Sequence, residues 1–132
     1  MSDDSPRTLA PRVAPAHLAI RFALELALLA AFAYWGWHLG DGGVLGGLLA
    51  VVLPAVGAAV WAIFRTAGDT GQSRPVVAIP GPMRLALELA LIGLAAYGVW
   101  TSGSRAAAET LLTAFALHYA VTWHRVVWLI RQ

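Results

Sequence analysis

The stretch RFALELALLAAFAYWGW, residues 21–37, decides how the chain is read, because it returns nearly intact as RLALELALIGLAAYGVW, residues 84–100. The two align without a gap, so that Arg21, Glu25, Tyr34 and Trp37 fall on Arg84, Glu88, Tyr97 and Trp100. Each copy is a long apolar segment with an Arg–Glu pair four residues apart, which places both charges on one helix face. A carboxylate inside an apolar helix is costly, and this chain builds that object twice.

Around the two copies the chain is equally apolar. Its 132 residues are 59% hydrophobic and 12% charged, with a mean hydropathy of +0.69. A soluble domain carries about a quarter charged residues. Four apolar blocks, 18–39, 44–64, 83–100 and 106–130, each approach the ~20 residues that cross a bilayer. A soluble helix would need a polar outer face, and block 44–64 has none. The expected fold class is therefore all-α: a polytopic membrane protein with four transmembrane helices. With no cysteine there is no disulfide framework and no thiolate chemistry. WGWHLGDGG after the first block offers no small-residue cleavage site, so that block is expected to remain as a span. The bilayer is the expected partner, and the dispersed basic residues do not form a nucleic-acid surface.

All nine basic residues are Arg. With four spans, Arg7, Arg12, Arg21, Arg65, Arg74, Arg84, Arg125 and Arg131 fall on one side and Arg105 on the other. The positive-inside rule then puts both termini in the cytoplasm. Residues 1–16 read as a mobile cytoplasmic tail and 17–132 as the four-helix domain. GDGG at 40–43 and TSGSR at 101–105 read as outer turns, and 65–82 as the one long loop. The halves 17–64 and 82–130 read as two tandem helical hairpins. A two-span unit returns the chain to its starting side, so the copies run in parallel about an axis along the membrane normal. Small residues at helix-packing spacing (Ala19, Ala23, Ala27 and Ala31; Ala86 and Ala90; Gly42/Gly46 and Gly43/Gly47; Ala116 and Ala120) allow close helix approach, within one chain or between chains.

Glu25 lies about 10 Å along its helix from Leu18, inside the apolar zone. Glu88 is expected at the same depth, with Arg21 and Arg84 one turn nearer the cytoplasm and Arg125 close to them on the return path. A polar layer of Glu25, Glu88, Arg21, Arg84 and Arg125 follows. It either fixes helix register through ion pairs or lines a path or ligand site, and the residues leave both open. His118, at mid-span, is a further candidate pathway or ligand residue. Haem is not expected as a cofactor, because His17, His38 and His124 lie near the span ends and no second histidine shares the depth of His118. The paired carboxylates also suggest acid/base catalysis, but no nucleophile or metal-ligand set accompanies them, so a membrane enzyme ranks third among the readings. Trp35, Trp37 and Trp100, with Trp123 and Trp128, read as aromatic belts. Pro54 is a candidate structural kink in the second span.

RFALELALLAAFAYWGW, LPAVGAAVWAIF and PGPMRLALELALIGLAAYGVW together resemble the YrdB-like family of small bacterial four-span membrane proteins. The matching positions are Glu25, Pro54, Trp61, Pro82, Arg84 and Glu88. FRTAGDTG after Trp61 departs from the family's usual Ala-Pro-basic continuation. The resemblance implies a protein of the bacterial inner membrane and carries over no activity. The leading functional expectation is a small transporter or channel-like protein, a homo-oligomer or membrane-complex subunit, centred on Glu25 and Glu88. The alternative is a non-transporting accessory or scaffold subunit.

Overall fold

The computed structural model describes residues 10, 14–69 and 74–132. In chain order its elements are α1 (Pro15–Leu39), α2 (Gly43–Ile63), β1 (Phe64–Arg65), β2 (Val77–Ala78), α3 (Gly81–Thr101), α4 (Arg105–Val121) and α5 (Trp123–Ile130). Most of the segment expected as a mobile tail, with Arg7 and Arg12, lies outside the described residues. Its last two residues already belong to α1, where Pro15 opens the helix at a position that needs no N–H bond.

The chain is predominantly helical, and α1, α2 and α3 are long and apolar enough to cross a membrane. The fourth expected span is not one helix. The segment 106–130 breaks at Thr122, whose hydroxyl donates to the His118 carbonyl at 2.7 Å while its own N–H donates to the same oxygen at 2.9 Å. A hydroxyl bonded back into the preceding turn competes with the helical ladder, and here the backbone turns at φ −99°, ψ 26° before α5 begins. The loop expected over 65–82 also holds structure, a parallel pairing of Phe64 with Val77 and Arg65 with Ala78.

The core runs along α3. Arg84, Glu88, Ile92, Ala95 and Val99 recur every three or four residues and are all buried. Leu28, Ala31 and Phe32 of α1 and Ala108, Leu111 and Phe115 of α4 close on that stripe. α2 packs on α1 and buries only Gly46 and Gly57, leaving long apolar faces uncovered. Two glycines set the spacing of these contacts. A Cβ on Gly46 would stand 2.7 Å from the Trp37 carbonyl oxygen of α1, and one on Gly98 would enter the Trp35 ring. Trp35, half-buried, therefore packs between helices and not in an outer belt, and Trp128 is buried; Trp37, Trp100 and Trp123 are exposed. Most of the small-residue stripes also point outward. Ala31 is buried, whereas Ala19, Ala23, Ala27, Ala86, Ala90, Ala116 and Ala120 are exposed, and nothing stands within 4 Å of a Cβ on Gly43 or Gly47. Pro54 lies inside α2, which continues through it as one element.

Candidate functional site: a buried Arg/carboxylate layer

The charged residues meet at the end of the bundle where α1 and α3 begin and α2 ends. Glu88 is the hub. Its Oε1 accepts from Arg84 Nε at 2.8 Å and from an Arg125 terminal nitrogen at 2.9 Å. Its Oε2 accepts from the Tyr119 hydroxyl at 2.6 Å and from the other Arg125 terminal nitrogen at 3.3 Å. Arg21 stands 3.8 Å from Oε1. The side chains of Arg84 and Glu88 are each only 1% exposed. A buried ion is tolerated only when neighbours replace the hydration it loses, and Glu88 replaces it with charged and hydroxyl donors from three helices.

Each arginine reaches the hub from a different element. Arg84 is one turn before Glu88 on α3. Its NH1 donates to the Trp61 carbonyl at 2.6 Å and to the Phe64 carbonyl, capping the end of α2, and its guanidinium lies 4.7 Å from the Trp61 ring centroid. Arg125 is carried on α5 with Trp128 and Leu129, a spacing that buries one face of that short helix. It forks between Glu88 and Asp69, meeting Asp69 in a bidentate pair of 2.9 and 2.5 Å. Three arginines, Arg21, Arg84 and Arg125, thus balance three carboxylates, Glu25, Asp69 and Glu88.

Arg21 and Glu25 repeat the Arg84–Glu88 bond, Nε to Oε1 at 3.1 Å, in a more open place. They line a cavity of about 330 Å³, with Leu18 and Phe22 on the same face of α1. Trp61 and Ala62 of α2, Arg65 and Asp69 of the connection, and Arg84 of α3 complete its wall. A second groove, of about 520 Å³, lies between α1 and α4 and is lined mainly by small and apolar side chains such as Ala27, Ala31, Ala107 and Ala114.

Five expected residues, Arg21, Glu25, Arg84, Glu88 and Arg125, are therefore brought to one layer. His118 is half-buried beside it. Its ring meets Tyr119 edge-on at 6.2 Å and its side chain makes no hydrogen bond among the described residues. The interhelical bond that its mid-span position suggests is made instead by its neighbour Tyr119. Pro54 contributes no side chain to the cavity wall. The sequence reading missed Asp69 and Tyr119. Asp69 was within reach: it is the only acidic residue of 65–82, on the side where three arginines faced two glutamates. Tyr119 carried no signal beyond being one of three tyrosines.

Residues 19–124 match a family described as "Protein of unknown function (DUF2568)". The chain is also 30% identical over 117 residues to "Uncharacterized protein YrdB" of Bacillus subtilis (strain 168), covering 88% of this chain and 94% of that one. No solved structure matches the chain. With a family match over most of its length and a relative covered almost end to end, the chain belongs to the YrdB-like DUF2568 family of proteins of unknown function.

Proposed function

We propose that this protein is a four-pass transporter or channel-like protein of the bacterial cytoplasmic membrane, with both termini inside and Arg21 and Glu25 as its ligand-facing pair. The observation that carries the reading is that both members of this pair line the 330 Å³ cavity and are partly exposed, while in its twin only Arg84 reaches the wall and Glu88 is buried behind it. Glu88 then positions the layer and Glu25 meets the moving species.

Four passes are favoured by charge and by length. α4 alone would span about 25 Å at ~1.5 Å per residue, short of the ~30 Å hydrocarbon core, and α5 supplies the remainder in a tilted continuation. An even count also keeps eight of the nine arginines on one side. The tandem-hairpin arrangement is supported by the two Arg–Glu pairs making the same bond, with Arg21 reaching toward Glu88 at one level. Oligomerisation fits four short helices that enclose little volume and leave α2 largely uncovered.

The test is electrical. Full-length protein in proteoliposomes on a solid support is exposed to rapid exchanges of amines, carboxylates and phosphates. The expected result is a current with one class that Glu25→Gln removes while helix content and melting are kept. A silent parent across all classes, or a Glu25→Gln variant that conducts like the parent, ends the transport reading. A scaffold subunit is the second reading, favoured by the full set of donors around Glu88, which resembles a register lock. It predicts loss of a co-purifying membrane partner on Glu88→Gln, with no current in any variant.

A further inference from the structure

The cavity beside Arg21 has a definite chemical character. Among the described residues, seven charged side chains stand in or directly behind its wall: Arg21, Arg65, Arg84 and Arg125 against Glu25, Asp69 and Glu88, four positive and three negative. Arg21 spends only Nε on a hydrogen bond; its two terminal nitrogens make none among the described residues, the nearer acceptor being Glu88 at 3.8 Å. A guanidinium with two terminal nitrogens to offer suits a phosphate, which it can hold through parallel N–H bonds.

Of the other wall residues, which are apolar, Trp61 packs inward and Leu18, Phe22 and Ala62 are turned outward. Leu18 and Phe22 share the α1 face with Arg21 and Glu25 and are 48% and 61% exposed. With the start of α1 on the cytoplasmic side, Phe22 lies just deeper than Arg21, where the glycerol of a lipid held there would fall, and Leu18 lies about one turn nearer the cytoplasm. One side of the cavity therefore matches a headgroup and the other the top of an acyl chain. A cation suits it less well, because the guanidinium of Arg84 already lies on the Trp61 ring.

We infer that this cavity is a binding site for the phosphate headgroup of an acidic membrane lipid, with Arg21 as the main phosphate ligand, Phe22 against the glycerol and first methylenes, and Glu25 as the competitor that holds Arg21 when lipid is absent. This rests on reading the layer as a ligand site in a membrane, and is independent of whether anything crosses. Basic pockets on the cytoplasmic side of helical bundles recognise such headgroups by the same chemistry. The arrangement fixes an unusual sign: neutralising Glu25 frees Arg21 and should tighten binding, whereas a cation site would lose its ligand.

The experiment is native mass spectrometry of the full chain released from nanodiscs of equal phosphatidylglycerol and phosphatidylcholine with matched acyl chains. Both lipids offer the same phosphate, so the preference comes from the choline cation, which the arginines of the wall repel; the parent should retain phosphatidylglycerol over phosphatidylcholine by about tenfold. Arg21→Gln should remove the preference, Glu25→Gln should raise it, and Arg105→Gln, on the exposed outer pair, should leave it unchanged. Equal retention of the two lipids overturns the inference, as does a preference that survives Arg21→Gln or falls in Glu25→Gln. A separate arm with inorganic phosphate alone distinguishes the source: an Arg21-dependent phosphate adduct without lipid preference assigns the site to a soluble anion and overturns the lipid assignment. If Arg21→Gln does not fold, the direction of change in Glu25→Gln decides. Lipid preference without current would remove transport and keep this site; current without lipid preference would do the reverse.

Discussion

Arg21–Glu25 and Arg84–Glu88 are the same motif placed in two environments. Both pairs are four residues apart, and both bond Nε to Oε1, at 3.1 and 2.8 Å. The first is 18% and 32% exposed and borders a cavity; the second is 1% and 1% exposed and holds the layer together. The helix spacing made the pairs alike, and the neighbours made them different. Around Glu88 stand Tyr119 and Arg125, delivered by α4 and α5. Among the described residues Glu25 is bonded by its own arginine alone, with the cavity beyond. A third pair, Arg105–Glu109, makes the same bond at 2.8 Å with side chains 72% and 53% exposed, which extends the comparison to open surface.

Glu88→Ala should cause the largest loss, about 3–5 kcal/mol, because it leaves two buried arginines without their shared acceptor. Glu25→Ala should cost less than about 1 kcal/mol, since its arginine can reach solvent or cavity. Denaturant unfolding in one detergent reads both, and equal losses would break the contrast. Next is the tie between the connection and α5. A double-mutant cycle of Asp69→Asn with Arg125→Gln should give a coupling of about 1–3 kcal/mol, and strictly additive effects would detach Asp69 from the layer. Tyr119→Phe removes one bond to a carboxylate that keeps its arginines, so a loss of about 1.5 kcal/mol is expected from the same unfolding measurement. The smallest effect belongs to Arg105→Gln, below about 0.5 kcal/mol, and added salt should shrink it further. A larger loss would show that the end of the bundle opposite the charged layer is more organised than its exposure indicates.

Much of this molecule is readable from residue order because apolar length and i,i+4 spacing are local quantities. The first three helices follow from runs of Leu, Ala and Val bounded by Gly and Pro. The membership of Arg125 in the layer follows from counting depth back along the return path. The break at Thr122 does not follow in this way. Threonine is tolerated inside helices, and whether its hydroxyl bonds back to His118 depends on what the following turn gains by bending. Here it gains the burial of Arg125, Trp128 and Leu129. Trp35 and Trp128 were misread for a related reason. A tryptophan near a span end suits the interface by default, and only a facing surface such as Gly98 turns it inward.

By itself the sequence determined that the chain is helical and membrane-like, that it carries one charged motif twice, and that the two copies share an apolar setting. These depend on composition and period, which survive without knowledge of neighbours. Only the tertiary structure decided which carboxylate is buried and which faces the cavity, and that Asp69 and Tyr119 complete the layer. Those facts depend on contacts between residues 31 and 56 positions apart in the chain, Glu88 with Tyr119 and Asp69 with Arg125. Two identical helical pairs acquire different environments through such long-range packing, and no local pattern encodes it.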